Sequence, residues 1–173
     1  MAITRLGSNQ SVNLASNVTG TLPTANGGTG ATSFAPGKVL QIVNGSTSTQ
    51  VGVTAGNSAD TGLSASITPS ATSSKILIIA NHGLFTKSAT QTYCNFYLKR
   101  GSTDIYGINN AFYSESDGQF RLPTHSFSYL DSPSTTSATT YKTSITCPSG
   151  SGGTIYSQYQ NMPSTIQLLE IGA

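Results

Sequence analysis

A chain of 173 residues, 36% hydrophobic, is long enough to bury a core, and its 26 Ser and 25 Thr make it polar while only 8% of residues are charged. The eight Lys and Arg and six Asp and Glu are scattered singly, with Lys99-Arg100 the one adjacent basic pair, so the basic stripe of a nucleic-acid-binding surface is excluded. No run of about 18 apolar residues is present to insert in a membrane, and Met1-Ala2-Ile3-Thr4-Arg5 lacks the apolar stretch of a secretion signal, so synthesis in a cytoplasm is expected.

Weakly charged chains rich in Ser, Thr and Gly often stay unfolded, because they bury too little apolar surface to offset backbone entropy. Here the apolar residues fall in short clustered runs, which favours folding, and Thr, Val, Ile and Tyr suit a pleated, half-buried surface. The chain changes character near Pro36. Residues 1–36 carry Ile3, Leu6, Val12, Leu14, Val18, Leu22 and Phe34 among Asn, Ser, Thr and Gly, too thinly to build a core of their own. They read as an extended arm that gains its order from neighbours, with the Gly-rich stretch Thr21–Gly30 as a bend. Residues 37–173 read as a β-sandwich domain.

In that domain the expected strands follow one another at short intervals. Val39–Val43 is a β-branched run, and Asn44-Gly45 behind it is a strong turn dipeptide. Gln50–Thr54 alternates weakly, and Leu63–Thr68 alternates clearly until Pro69 stops it. Lys75–Ala80 is apolar on both faces, the mark of a central strand buried on both sides. Gln91–Arg100 places Cys94, Phe96 and Leu98 on one face and Tyr93, Asn95, Tyr97 and Lys99 on the other. Gly101–Asp104 reads as the turn into Ile105–Ile108. Gln119–Leu130, Ala138–Cys147, Thr154–Tyr159 and Thr165–Ile171 complete nine or ten strands. No segment keeps a period of 3.6, so the expected class is all-β, an antiparallel sandwich with a jelly-roll as the best single topology.

Candidate chemistry is sparse. Cys94 and Cys147, without CxxC spacing, read as small buried hydrophobes, and a disulfide between them is disfavoured in a reducing cytosol. His82 and His125 show no metal-ligand spacing, so neither metal nor cofactor is expected. Glu115 and Asp117 are the closest carboxylate pair, but in Ser114–Gly118 they read as solvated loop carboxylates rather than a glycosidase pair or a calcium loop. No catalytic residue is therefore expected. The aromatic residues are more informative, because a tyrosine ring with its polar tip suits both subunit seams and glycan surfaces. Most are expected in the core or at a subunit interface. Phe112 and Tyr113, beside Asn109 and Asn110 and followed by Glu115, Asp117 and Gln119, read as a long polar and aromatic loop, the place on this chain where a surface glycan would be bound if one is.

The segment Asn17–Gly30, with its Thr-Gly-Thr-Leu-Pro and Ala-Asn-Gly-Gly-Thr-Gly runs, resembles a stretch common in bacteriophage tail-fibre and virion fibre proteins. Leu63–Leu77, Tyr129–Pro133, Ala138–Lys142 and Ser164–Ile171 are similar to blocks that recur together in such proteins of aquatic phages. The resemblance implies a virion protein, made in the host cytoplasm and assembled as a parallel homotrimer with other virion proteins as partners. It also implies a role in host attachment, with Ile3, Leu6, Val12, Leu14, Val18 and Leu22 on a virion-attachment arm. Tail fibres of this kind carry a longer shaft before the motif, whereas about 36 residues precede the globular part here. A tail-fibre module and a capsid-decoration or head-fibre protein therefore both remain open.

Overall fold

The computed structural model describes residues 38–114 and 121–172. The expected arm, residues 1–36, lies outside the described residues, as do Glu115, Asp117 and Gln119.

Twelve strands are described: β1 (Val39–Thr47), β2 (Val51–Thr54), β3 (Asn57–Ile67), β4 (Lys75–His82), β5 (Phe85–Lys87), β6 (Thr92–Arg100), β7 (Thr103–Ser114), β8 (Arg121–Leu122), β9 (His125–Asp131), β10 (Thr139–Cys147), β11 (Thr154–Ser157) and β12 (Ser164–Ile171). They form three four-stranded sheets: sheet 1 in the order β1-β12-β4-β9, sheet 2 in the order β3-β10-β6-β7, and sheet 3 in the order β2-β11-β5-β8. Every pairing is antiparallel. The all-β, sandwich-like class expected from the sequence is what the structure has.

Strict alternation makes the core. On sheet 1, Ile76, Ile78 and Ala80 of β4 and Ile166 and Leu168 of β12 point inward, and on sheet 2 Leu63, Ile67, Leu98 and Tyr141 meet them. Sheet 2 has the longer strands, 11 residues in β3 and 12 in β7 against eight in β4 and seven in β9, so it overhangs sheet 1 at one end. Sheet 3 covers the overhang. Val53, Phe85 and Ile155 from sheet 3 pack on Cys94, Phe96, Phe112, Ile145 and Cys147 from sheet 2 as a second core cluster. Each strand of sheet 3 lies in the chain between a strand of sheet 1 and a strand of sheet 2. The crossings at this end are thus themselves paired as β-structure.

The opposite end is closed by polar groups. Arg100 Nη1 donates to both carboxylate oxygens of Asp131 at 3.1 and 2.9 Å, and the Tyr141 hydroxyl donates to Asp131 Oδ2 at 2.6 Å, joining β6 and β10 of sheet 2 to β9 of sheet 1. Nearby, the fully buried Glu170 carboxylate accepts from Gln41 Nε2 at 2.6 Å and from the Ser70 amide and hydroxyl at 2.7 and 2.6 Å.

Three expectations need correcting. Asn44-Gly45 is no turn: β1 runs through it, pairing Asn44 with Gln167 and Gly45 with Ile166. The glycine is there for room, since a Cβ on Gly45 would stand 2.1 Å from the Ser64 carbonyl oxygen and 2.9 Å from Ile166 Cγ2. Second, β4 is central, flanked by β12 and β9, but only its inner face is fully covered; Leu77 and Ile79 are half-buried on the outer face. Third, the segment expected as a loop around residue 110 is β7, which continues to Ser114. Gly45→Ala is expected to lower stability by about 1–3 kcal/mol through overpacking between β1 and β3, read as a lower urea midpoint at unchanged slope.

Candidate functional site

The outer face of sheet 2 carries a polar and aromatic surface built by alternation. Tyr93, Asn95, Tyr97 and Lys99 of β6 point outward, and their neighbours on β10 are Thr146, Ser144 and Lys142. Beyond these, β3 places Ser58, Asp60 and Ser64 in the same rows. On the other side β7 sets Gly107 opposite Tyr97 and Asp104 opposite Lys99. These strands enclose a shallow depression of about 460 Å³, with Tyr97, Lys99, Asp60, Asp104, Ser58 and Thr146 in its walls.

Tyr97 is held flat by its partner strand. A Cβ on Gly107 would fall 2.8 Å from Tyr97 Cδ1, so the ring lies over the bare glycine backbone. Its hydroxyl donates to Asn109 Oδ1 at 3.2 Å, and Lys99 Nζ stands 5.8 Å from the ring centroid. Lys99 is paired with Asp104, and Lys142 with Asp60 at 2.6 Å. Both pairs are solvent-exposed and worth about 0–1 kcal/mol each, so a ligand with hydroxyl or charged groups displaces them at little cost. Hydroxyl pairs extend the polar surface, Ser58 with Thr146 at 2.6 Å and Ser66 with Thr140 at 2.7 Å.

Of the residues expected in a glycan-binding loop, the structure brings three to this face or its border. Asn109 bonds Tyr97, and the amide of Asn110 donates to Asn95 Oδ1 at 2.9 Å. Asn110 has φ of +52°, at a bulge between β6 and β7 that turns two successive Asn residues outward. Tyr113 stacks on Tyr93 with centroids 4.6 Å apart and planes 7° from parallel. Phe112 does not belong with them. It is 6% exposed and packs in the second core cluster, because in a strand the residue beside an outward Tyr113 must point inward. The residues that the loop reading missed are Tyr97, Asp60, Asp104, Lys99 and Lys142. The alternation of β6 marks Tyr97 and Lys99 as sharing a face, whereas only the pairing of β3 with β10 brings Asp60 to them.

The two histidines lie elsewhere. His82 pairs with His125 across β4 and β9 near sheet 3, 1% exposed, its ring 5.2 Å from those of both Phe85 and Phe96. Gln158 Nε2 donates to its Nδ1 at 3.4 Å. Burial first, and the neighbouring His125 second, push its pKa down from 6.5 to about 3. Cys94 and Cys147 are both buried and unbridged, and burial raises the Cys94 thiol well above its ordinary range. Among the described residues no group of three His, Cys, Asp or Glu is placed to hold a metal ion.

No protein-family model matches the chain, and no curated protein matches it.

Acid is expected to destabilise the fold in two stages. Between pH 6.5 and about 3 the unfolded chain binds a proton at His82 that the folded chain does not, so stability falls as pH is lowered, by about 1.4 kcal/mol per unit. At Glu170 burial alone would raise the pKa, but the hydrogen bonds from Ser70 and Gln41 hold it down at about 2 against 4.5, so its contribution is present above pH 4.5 and is lost as pH falls through about 2. Burial lowers the His125 pKa as well and adds to the first stage; urea melts at pH 7.5, 6.0 and 5.0 measure it, and His82→Gln should reduce its slope without abolishing it.

Proposed function

We propose that this chain is a structural component of a bacteriophage virion, a homotrimeric fibre module that attaches the particle to glycan on the host surface. The observation that carries the attachment role is the outer face of sheet 2. A tyrosine ring held flat over Gly107, rimmed by hydroxyls, amides and paired charges, offers an apolar platform for the C–H face of a sugar and donors and acceptors for its hydroxyls.

The virion assignment rests on the resemblance of residues 17–30 and the blocks after it to phage fibre proteins. The sandwich supports it further as a jelly-roll. The orders β1-β12-β4-β9 and β3-β10-β6-β7 place each large sheet's strands as two interleaved Greek keys would, with sheet 3 formed from the crossings at one end. In this reading residues 1–36 serve as the arm that fastens the module to other virion proteins, and the chain has no catalytic, cofactor-dependent or membrane-inserting role. It is made in the host cytoplasm and ends in the particle.

Glycan-array and host-cell binding by the isolated protein test the attachment role. Tyr97→Ala is expected to weaken binding at least tenfold, about 1.4 kcal/mol, with an unchanged far-ultraviolet circular dichroism spectrum. Binding to capsids with none to host cells or glycans would overturn it and favour a capsid-decoration or head-fibre protein. Deleting residues 1–30 is expected to leave a folded trimer that no longer joins virions, measured by immunoblot of purified particles; normal incorporation would remove the arm's role.

A further inference from the structure

The outer face of sheet 1 differs sharply from that of sheet 2. Alternation that sends Ile76, Ile78, Ile166 and Leu168 into the core sends an equally aliphatic set outward. Ile42 of β1 pairs with Leu169 of β12, Leu169 with Leu77 of β4, and Leu77 with Leu130 of β9. A single row of four aliphatic side chains therefore crosses the whole sheet. Leu40 and Ile171 extend it on one side and Ile79 on the other. Ile42 is 58% exposed, Leu130 50% and Leu40 45%. In a chain in which Ser and Thr make up 51 of 173 residues, this concentration is not the scatter of single apolar residues normal on a surface.

We propose that the outer face of sheet 1 is where copies of this chain pack against one another. The inference takes the homotrimer from the proposed function and adds the surface that builds it. Three observations favour a second copy over another partner. First, the face is almost uncharged: the rows beyond the aliphatic one carry Asn44, Gln167, Ser128, Thr165 and Asn81, and the one charge on the four strands' outer face is Lys75 at its end. An acidic partner finds only Lys75 to pair with and a basic one nothing, whereas like surfaces this weakly charged meet with little repulsion. Second, the size suffices. Four strands about 4.8 Å apart and about eight residues long present roughly 500 Å² per copy, so three copies that turn this face to a common axis bury about 1,500 Å² in all, above the roughly 1,000 Å² of a specific interface. Third, the other outer face is unsuited to the task, because it holds Asp60, Asp104, Lys99 and Lys142 in pairs satisfied within one chain. Assembly through sheet 1 also leaves the Tyr97 surface, on the opposite side of the sandwich, facing outward.

The test uses the whole chain in sedimentation velocity, with circular dichroism and thermal melting to report folding. The wild type is expected at a multiple of 17.9 kDa, and the double variant Ile42→Asp/Leu130→Asp at 17.9 kDa with its β-spectrum kept, since both positions are solvent-exposed in the single chain. The milder Ile42→Ser/Leu130→Ser is expected to raise the dissociation constant at least tenfold and serves if the charged variant does not fold. Ser66→Glu, on the outer face of sheet 2, should leave the mass unchanged. A monomeric wild type, or an oligomer unaffected by both double variants, would overturn the inference. A ring of another number dispersed by them supports this face while removing the three-fold part of the proposed function. Loss of glycan binding in a still-oligomeric Tyr97→Ala bears on the attachment role alone.

Discussion

Everything else in the domain depends on two inner sheet faces having no way to leave water except against each other. Ile76, Ile78, Ile166 and Leu168 from sheet 1 meet Leu63, Ile67, Leu98 and Tyr141 from sheet 2, all fully buried or nearly so. Each such side chain contributes about 1.5–3 kcal/mol on transfer from water, and a slip of one residue in any of these strands would reverse the sign for that whole strand. The registers of β4 with β12 and of β10 with β3 and β6 are fixed by that penalty.

The two ends of the sandwich are closed by different means, and each follows from strand length. Where sheet 2 overhangs, the crossings become the strands of sheet 3 and the gap fills with Phe85, Phe96, Phe112 and the His82 ring. Where the sheets end together, carboxylates do the closing. Asp131 is held by Arg100 and Tyr141, and Glu170 by Ser70 and Gln41, so both buried charges are hydrogen-bonded by the elements they join. Arg100 and Tyr141 gain their place only when β9 is docked, which ties the polar end to the same packing event as the core.

With the inside determined in this way, the two outer faces are free to differ. Sheet 1 turns aliphatic side chains outward across all four strands, and sheet 2 turns out tyrosine, amide, hydroxyl and paired charges. In the proposed reading the apolar outer face serves assembly and the polar one recognition. The proposed fibre module uses both.

Much of the fold was legible in the chain itself, because a period of two is a local property. Alternation marks the inward residues of β3, β6 and β10 directly, and the apolar run of β4 marks it as central. Where local signals misled, a distant strand had overruled them. Asn44-Gly45 favours a turn in isolation, yet pairing with β12 keeps it extended and the close approach of Ser64 requires the glycine. Phe112 has the composition of a loop around it, yet pairing of β7 with β6 turns it into the core. The candidate site divides in the same way. Tyr97 and Lys99 share a face by their spacing alone and Gly107 comes from the next strand, while Asp60 and Ser58 come from β3, far away in the chain. The sequence by itself therefore determined the β class, most strand positions and which side chains of a strand face together, since these depend on neighbours one or two residues away. Only the tertiary structure decided which strands lie side by side, and hence that one outer face became an aliphatic row and the other a tyrosine platform, because strand order is set by packing between residues distant in the chain.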